Sequence, residues 1–244
     1  MNDEIRMTND ECCRGVCVKR LTNGFGVRRG ERRYNAAFTL IELIVVTAVI
    51  IILTGLVLST VGYVQKKGAR ARAETEIAAM SAACESYKAD NGVYPKDPTA
   101  GTATDTLDAK TMGDPATYQT ASLVLYRALS GDRNLDRTVS DADKNFNTDG
   151  TTLSPPLTQR PQSYFTFKPN MLSPADQTVN VQNIRDAFGN SYGYSTAFQH
   201  DIDLGVPPTH GYNPTFDLWS TGSLTTSPPG TPPDTVTPQW IKNW

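Results

Sequence analysis

Residues 43–64, LIVVTAVIIILTGLVLSTVGYV, form a run of 22 residues without a charge, and no other feature restricts this chain as strongly. At about 1.5 Å per residue a helix of that length reaches roughly 33 Å, enough to cross a bilayer core of about 30 Å. A cleaved secretory signal has a shorter apolar region, about 7–15 residues, followed by a small-x-small site. Here the run ends in Gln65-Lys66-Lys67. A membrane helix is therefore expected. Arg28, Arg29, Arg32 and Arg33 precede it, and Lys66, Lys67, Arg70 and Arg72 follow. The positive-inside rule favours a cytoplasmic N-terminus by a narrow margin.

Charge divides the 244-residue chain in two. Residues 1–37 carry eight Lys/Arg against five Asp/Glu, whereas the whole chain has a net charge of −2. The basic excess is thus confined to residues 1–37, and no global positive field speaks for nucleic-acid binding. Cys12, Cys13 and Cys17 lie in that polar N-terminal stretch and Cys84 stands alone. Their spacing matches no usual zinc site, and removal of residues 1–37 leaves one thiol and no disulfide within the chain. Enzymatic signals are missing as well. His200 and His210 are the only histidines, both in polar loop sequence. No serine sits in a nucleophile elbow, and there is neither a phosphate-binding glycine loop nor a paired-His zinc spacing. A non-enzymatic protein without a cofactor is expected.

Glu42 breaks the pattern of the apolar stretch that opens at Phe38. A carboxylate at mid-bilayer costs about 2.5–3.5 kcal/mol. Near the headgroups it can snorkel to water; deeper, it needs a positive partner. No Lys or Arg lies in residues 38–64, so a partner must come from another chain or from a newly made amino terminus.

Residues 65–90 are rich in helix formers. Ala73, Ile77, Met80, Cys84 and Tyr87 recur at spacings of four and three, one stripe of an amphipathic helix. Arg70, Arg72, Glu74 and Glu76 flank it. Packing of Met80 and Cys84 against a sheet is the expected role for both. Asn91-Gly92 and then Pro95 stop a helix of about 50 residues. A shorter helix is expected over 121–130, and strands over 163–168, 178–182, 191–196 and 216–220. Residues 96–120 and 131–161 read as long polar loops. Asp141, Asp143, Asn145, Asn147 and Asp149-Gly150 alternate as in a calcium loop, but Pro156 stands where the closing Glu belongs, so a solvated turn is expected.

The stretch Ala37-Phe38-Thr39-Leu40-Ile41-Glu42-Leu43-Ile44-Val45-Val46 resembles the processing motif of type IV pilin-like proteins: a small residue, Phe, Thr, Leu, an aliphatic residue, and Glu at the fifth mature position. The resemblance implies cleavage between Ala37 and Phe38 by a membrane prepilin peptidase, methylation of the new Phe38 amine, and an assembly role for Phe38, Thr39 and Glu42. Ala37 replaces the usual Gly, and Met1 or Met7 opens the leader. Further blocks resemble the major, G-type pseudopilin of type II secretion systems. Ser86-Tyr87-Lys88-Ala89-Asp90-Asn91-Gly92-Val93-Tyr94-Pro95 is similar to that family's helix end. Asp186-Ala187-Phe188-Gly189-Asn190-Ser191-Tyr192 is similar to its Asp-Pro-Trp-Gly-Asn-x-Tyr turn, Phe216-Asp217-Leu218-Trp219-Ser220-Thr221-Gly222 to its next strand, and Ile241-Lys242-Asn243-Trp244 to its terminus.

What the resemblance implies is an α+β fold, a long N-terminal helix packed on a small antiparallel sheet with long loops. Residues 1–37 would be the leader, 38–64 the transmembrane and filament-core helix, 65–92 its amphipathic continuation, 93–222 the periplasmic domain, and 223–244 a Pro-rich loop with a terminal Trp anchor. The implied partners are prepilin peptidase, further copies of the chain in a pseudopilus, minor pseudopilins and inner-membrane secretion assembly proteins. Two departures stand out. Ser59 occupies the usual helix-kink Pro position, with Gly55 nearby. The family's calcium-holding Ser-x-Gly-x-Asp-Gly loop is replaced by Ser220-Thr221-Gly222-Ser223-Leu224-Thr225 and a Pro-rich run in which only Asp234 is anionic. No tightly held metal is expected there. Two alternatives remain. A fibre-forming type IV pilin shares the motif but generally has a disulfide-closed C-terminal region, and a bitopic protein displaying a binding or hydrolase domain has no use for Glu42.

Overall fold

The computed structural model describes residues 38–99, 101–224 and 236–244. The leader with Cys12, Cys13, Cys17 and Ala37, and the stretch holding Asp234, lie outside the described residues. The chain divides into two compact units, one ending at Ile51 and one spanning Ile52–Trp244. The class is α+β. Helix α1, Leu40–Asn91, has 52 residues. It is followed by α2, Gln119–Ser130, and α3, Ala197–Asp203. A two-stranded antiparallel sheet pairs β1, Leu172–Ser173, with β2, Asn183–Ile184. A second, three-stranded sheet has the order β3-β4-β5, formed by Gly193–Ser195, Asp217–Ser220 and Ile241–Lys242, and both of its pairings are antiparallel.

The described part of the first unit is helical from Leu40, and its apolar side chains are exposed. In the second unit the lipid-type sequence of α1 changes to the amphipathic one, and burial follows the predicted stripe. Ala73, Ile77, Met80 and Cys84 are buried, and Tyr87 packs at the edge of the same core with its ring edge-on to Tyr164. They meet Leu125 and Leu129 of α2, Tyr194 and Leu218 of the large sheet, Tyr192 just before it, and Ile241 of β5. Burial and the neighbouring Glu85 charge push the Cys84 thiol far above its ordinary range, so this cysteine packs as an inert apolar side chain. The helix ends where expected: Gly92 takes φ +78° and its N–H reaches back to Lys88 O at 2.7 Å.

A second core joins Leu107, Tyr118 and Ala121 to Trp219 and Trp240, with Tyr212 and Trp244 at its rim. Trp219 and Trp240 lie parallel with centroids 6.1 Å apart, and Tyr212 stacks on Trp244 at 4.7 Å. The C-terminal segment therefore adds strand β5 to the sheet as well as its tryptophan contacts.

Three strand expectations shift. Residues 163–168 form no strand; Tyr164 N and Phe165 N both donate to Leu129 O, and Phe167 packs on Tyr126 and Phe165. The segment is aromatic because it covers α2, not because it pairs. The second expected strand moves from 178–182 to Asn183–Ile184, where Ser122 Oγ of α2 accepts from Ile184 N at 2.7 Å. The strand expected over 191–196 contracts to Gly193–Ser195.

The 141–150 stretch is not a simple solvated turn, for Asp141–Asn145 form a 3-10 helix. Asp143 is fully buried and accepts from Arg133 N (2.7 Å), Asn134 N (3.0 Å), Ser140 N (2.7 Å) and Ser140 Oγ (3.4 Å). Asp108, Asp186 and Asp217 staple other loops in the same way, each through at least two backbone N–H groups. Such stapling explains how long polar segments pack with only short 3-10 turns of their own.

Candidate functional site

The sequence singles out residues 37–42, of which Phe38 onward are described. Phe38 and Thr39 precede α1, and Phe38 is 79% exposed. Thr39 Oγ1 accepts from Glu42 N at 3.3 Å, and Leu43 N donates to Thr39 O at 3.2 Å. Thr39 thus caps the helix, and Thr39-Leu40-Ile41-Glu42 has the T-x-x-E order of a capping box. Glu42 stands exposed in the first turn. There the helix end is electropositive, which favours a carboxylate by about 0.3–1 kcal/mol in water. That local gain is smaller than the cost of sinking the same carboxylate into lipid. Helix capping alone therefore does not account for an acid four residues into an apolar stretch.

The second unit holds its part of α1 by a lock that sequence reasoning missed. Glu76 is buried at 9% exposure. Its Oε1 accepts from Arg72 Nε at 2.6 Å, one turn earlier, and its Oε2 accepts from Tyr192 Oη at 2.7 Å, in the residue just before β3. Burial and the Glu76 charge push the Tyr192 phenol far above its ordinary value, so it stays the donor. Arg70 Nη1 reaches Pro238 O (3.4 Å) and Gln239 O (3.2 Å), tying the helix to the C-terminal segment. Glu76 reads as a flank charge in sequence because its phenolic partner lies 116 residues away.

Both histidines are structurally engaged. His200 lies on α3 rather than in a loop, with Nδ1 3.4 Å from Asp105 Oδ2. It borders a cleft of about 210 Å³ that is lined also by Lys88, Lys96, Asp203 and Thr215 and by no serine or cysteine. Asp105 is already occupied by Thr196 Oγ1 (2.9 Å) and Gly101 N (3.1 Å). His210 closes the 201–210 loop through Asp201 Oδ2 at 2.9 Å. Among the described residues no group of three or more His, Cys, Asp or Glu is placed to hold a metal.

Residues 32–58 match the family described as "Prokaryotic N-terminal methylation motif". The matched stretch contains Ala37, Phe38, Thr39 and Glu42 and most of the uncharged run. No curated protein and no solved structure matches the chain significantly. The chain thus carries a type IV pilin-like prepilin signal, the substrate of a prepilin peptidase, on a helix long and apolar enough to cross a membrane.

Proposed function

We propose that the chain is a non-enzymatic structural subunit of a type II secretion pseudopilus. It is cut between Ala37 and Phe38, methylated at Phe38, stored as a single-pass protein of the bacterial inner membrane, and drawn into a periplasmic filament that drives protein export. The N-terminus faces the cytoplasm and the second unit the periplasm. One observation carries the reading: within a matched prepilin signal a single carboxylate, Glu42, stands in the first turn of α1, ahead of the 22 uncharged residues 43–64. In a filament of packed helices this carboxylate meets the Phe38 amine of a neighbouring copy and sets axial register, as a lone polar residue does in a coiled coil. The order of the blocks at 86–95, 186–192, 216–222 and 241–244 supports a pseudopilin. So does the buried, unpaired Cys84, since a mature chain with one thiol cannot close the disulfide of a fibre-forming pilin.

Mass spectrometry of the N-terminus and a Glu42→Val substitution test the reading. The membrane form should begin at methylated Phe38. Glu42→Val should insert as well as the parent and keep the second unit folded, yet abolish filaments and export; Glu42→Asp should give partial loss. An intact leader in cells that contain the peptidase, or equal export from parent and Glu42→Val cells at matched expression, would falsify it. Loss of surface fibres with export intact would favour the pilus alternative.

A further inference from the structure

The end of β4 and the turn before β3 meet at a single nitrogen atom. Asn190 Nδ2 lies 2.7 Å from Leu224 O, 2.9 Å from Gly222 O and 3.2 Å from Thr221 Oγ1. Thr221 Oγ1 spends its own proton on Leu224 O at 2.9 Å, so it presents a lone pair to Asn190. Three oxygens turned toward one centre require either a cation or a group with several protons, and the carboxamide NH₂ is such a group. The same contacts fix which end of the amide faces the loop, because its oxygen there would oppose three acceptors.

Asn190 is itself held. Its N–H donates to Asp186 Oδ1 at 2.8 Å, and its carbonyl accepts from Asp186 N at 2.8 Å. The Asp186 carboxylate is fully engaged, with Oδ1 also taking Phe188 N at 2.9 Å and Oδ2 taking Ser220 Oγ at 2.5 Å. On the far side Gly222 holds φ +65°, and a Cβ there would stand 2.6 Å from Gln239 O. Loop, turn and C-terminal segment are therefore all fixed around the amide.

These residues do not fit the calcium that resemblance to the pseudopilin family implies for the loop after β4. A hard divalent ion takes six to eight oxygens, usually several of them carboxylates. Among the described residues three neutral oxygens converge here, and the carboxylate nearest in the bonding network is committed to backbone and hydroxyl donors. We infer that the Asn190 carboxamide is an internal substitute for a divalent cation, tying residues 221–224 to the 186–190 turn with protons in place of metal charge. The inference takes from the pseudopilin reading only the expectation of the metal it replaces; the clamp itself stands whichever filament the chain builds. It also makes Asn190 a position where the change of NH₂ to O⁻ turns donors facing acceptors into a cluster of oxygens that needs a cation.

The test is thermal melting of the full-length processed chain in detergent, in millimolar EDTA and in millimolar calcium chloride, followed by tryptophan fluorescence. The parent should melt at the same temperature in both. Asn190→Ala should melt about 4–8 °C lower in both, from loss of the clamp. Asn190→Asp should be as low as Asn190→Ala in EDTA and regain part of the loss in calcium, with water completing the ion's shell around the new carboxylate. A parent that melts lower in EDTA and recovers with calcium overturns the inference. So does Asn190→Ala melting with the parent, or Asn190→Asp indifferent to calcium. Should Asn190→Asp not fold, amide exchange at Gly222 and Leu224 of the parent decides: rates unchanged by EDTA support the clamp, and faster exchange refutes it. Export and leader cleavage are not read in this assay, so its failure is distinct from failure of the proposed function.

Discussion

Gly193 lies in β3 directly opposite Trp219 of β4, and the indole folds over it. A Cβ at position 193 would lie 2.1 Å from Trp219 Cε2, 2.4 Å from Cζ2 and 2.6 Å from Nε1. Carbon atoms in contact prefer about 3.5–4.0 Å, so the ring would have to retreat by more than an ångström. It has nowhere to go: Trp219 is fully buried, with the Tyr118 ring edge-on at 5.2 Å, Trp240 parallel at 6.1 Å and Trp244 edge-on at 6.0 Å. If the indole shifts within its site, the cost of Gly193→Ala is that of an overpacked core, about 1–3 kcal/mol. If it is expelled, the cost approaches the loss of a buried tryptophan, about 3–5 kcal/mol. The floor is thus about 1 kcal/mol. Denaturant unfolding in detergent reads the loss, and the three tryptophans of the chain, Trp219, Trp240 and Trp244, all report from this one cluster. Gly68→Ala is the control, since Gly68 lies in α1 with nothing within 4 Å of an added Cβ; helix propensity should make it neutral or stabilising there. Trp219→Phe in the Gly193→Ala background should recover part of the loss, a coupling expected for residues in contact. Gly193→Ala with an unchanged midpoint and unchanged fluorescence would refute the packing described for this sheet.

Two further outcomes follow from buried polar groups. Burial holds the phenols of Tyr118, Tyr126, Tyr192 and Tyr194 above the ordinary tyrosine value of 10, helped at Tyr126 by the charge of Asp132 and at Tyr192 by that of Glu76. The unfolded chain therefore loses these protons first; their stabilisation is complete below pH 10 and falls above it by about 1.4 kcal/mol per pH unit for each tyrosine. The tyrosinate absorbance of these four should accordingly rise in one cooperative step together with unfolding, and their ionisation near pH 10 in a chain that stays folded contradicts it. Asp143→Asn should destabilise by about 2–4 kcal/mol, because one acceptor facing buried N–H groups becomes a donor; a melting temperature equal to that of the parent would show that those N–H groups find other partners.

Legibility in this sequence followed the range of the interactions. Helix α1 could be read almost to its ends, because its signals are local: an uncharged run, a 3-4 stripe from Ala73 to Tyr87, and Asn91-Gly92 as the stop. Strand β4 was legible for a similar reason, as a short apolar segment buried on both faces. The aromatic segment 163–168 has the composition of a strand, and what decides against it is the Leu129 carbonyl, which takes its N–H groups. Helix α3 was missed because its seven residues carry two aspartates and a histidine, whose role is to close the loop at Asp201 and to meet Asp105.

The candidate site divides along the same line. The motif around Glu42 is contiguous, so its residue types and order are complete in the primary structure. Glu76 is different: the residue alone looks like any solvated helix acid, and it becomes a buried anchor only when a phenol 116 positions later donates to it. Asp143 makes the point from the opposite side. An alternation of Asp and Asn is the same string whether its oxygens turn outward to a cation or inward to N–H groups. Here the donors sit at Arg133, Asn134 and Ser140, ahead of the alternation and outside its pattern, and they claim both oxygens of Asp143. Asn190 repeats this logic with the sign reversed, a donor gathering acceptors from residues 221–224. In this fold the charge pattern of a loop is set by which backbone groups need a partner, and a metal-ligand pattern read without those donors overcounts the oxygens that are free.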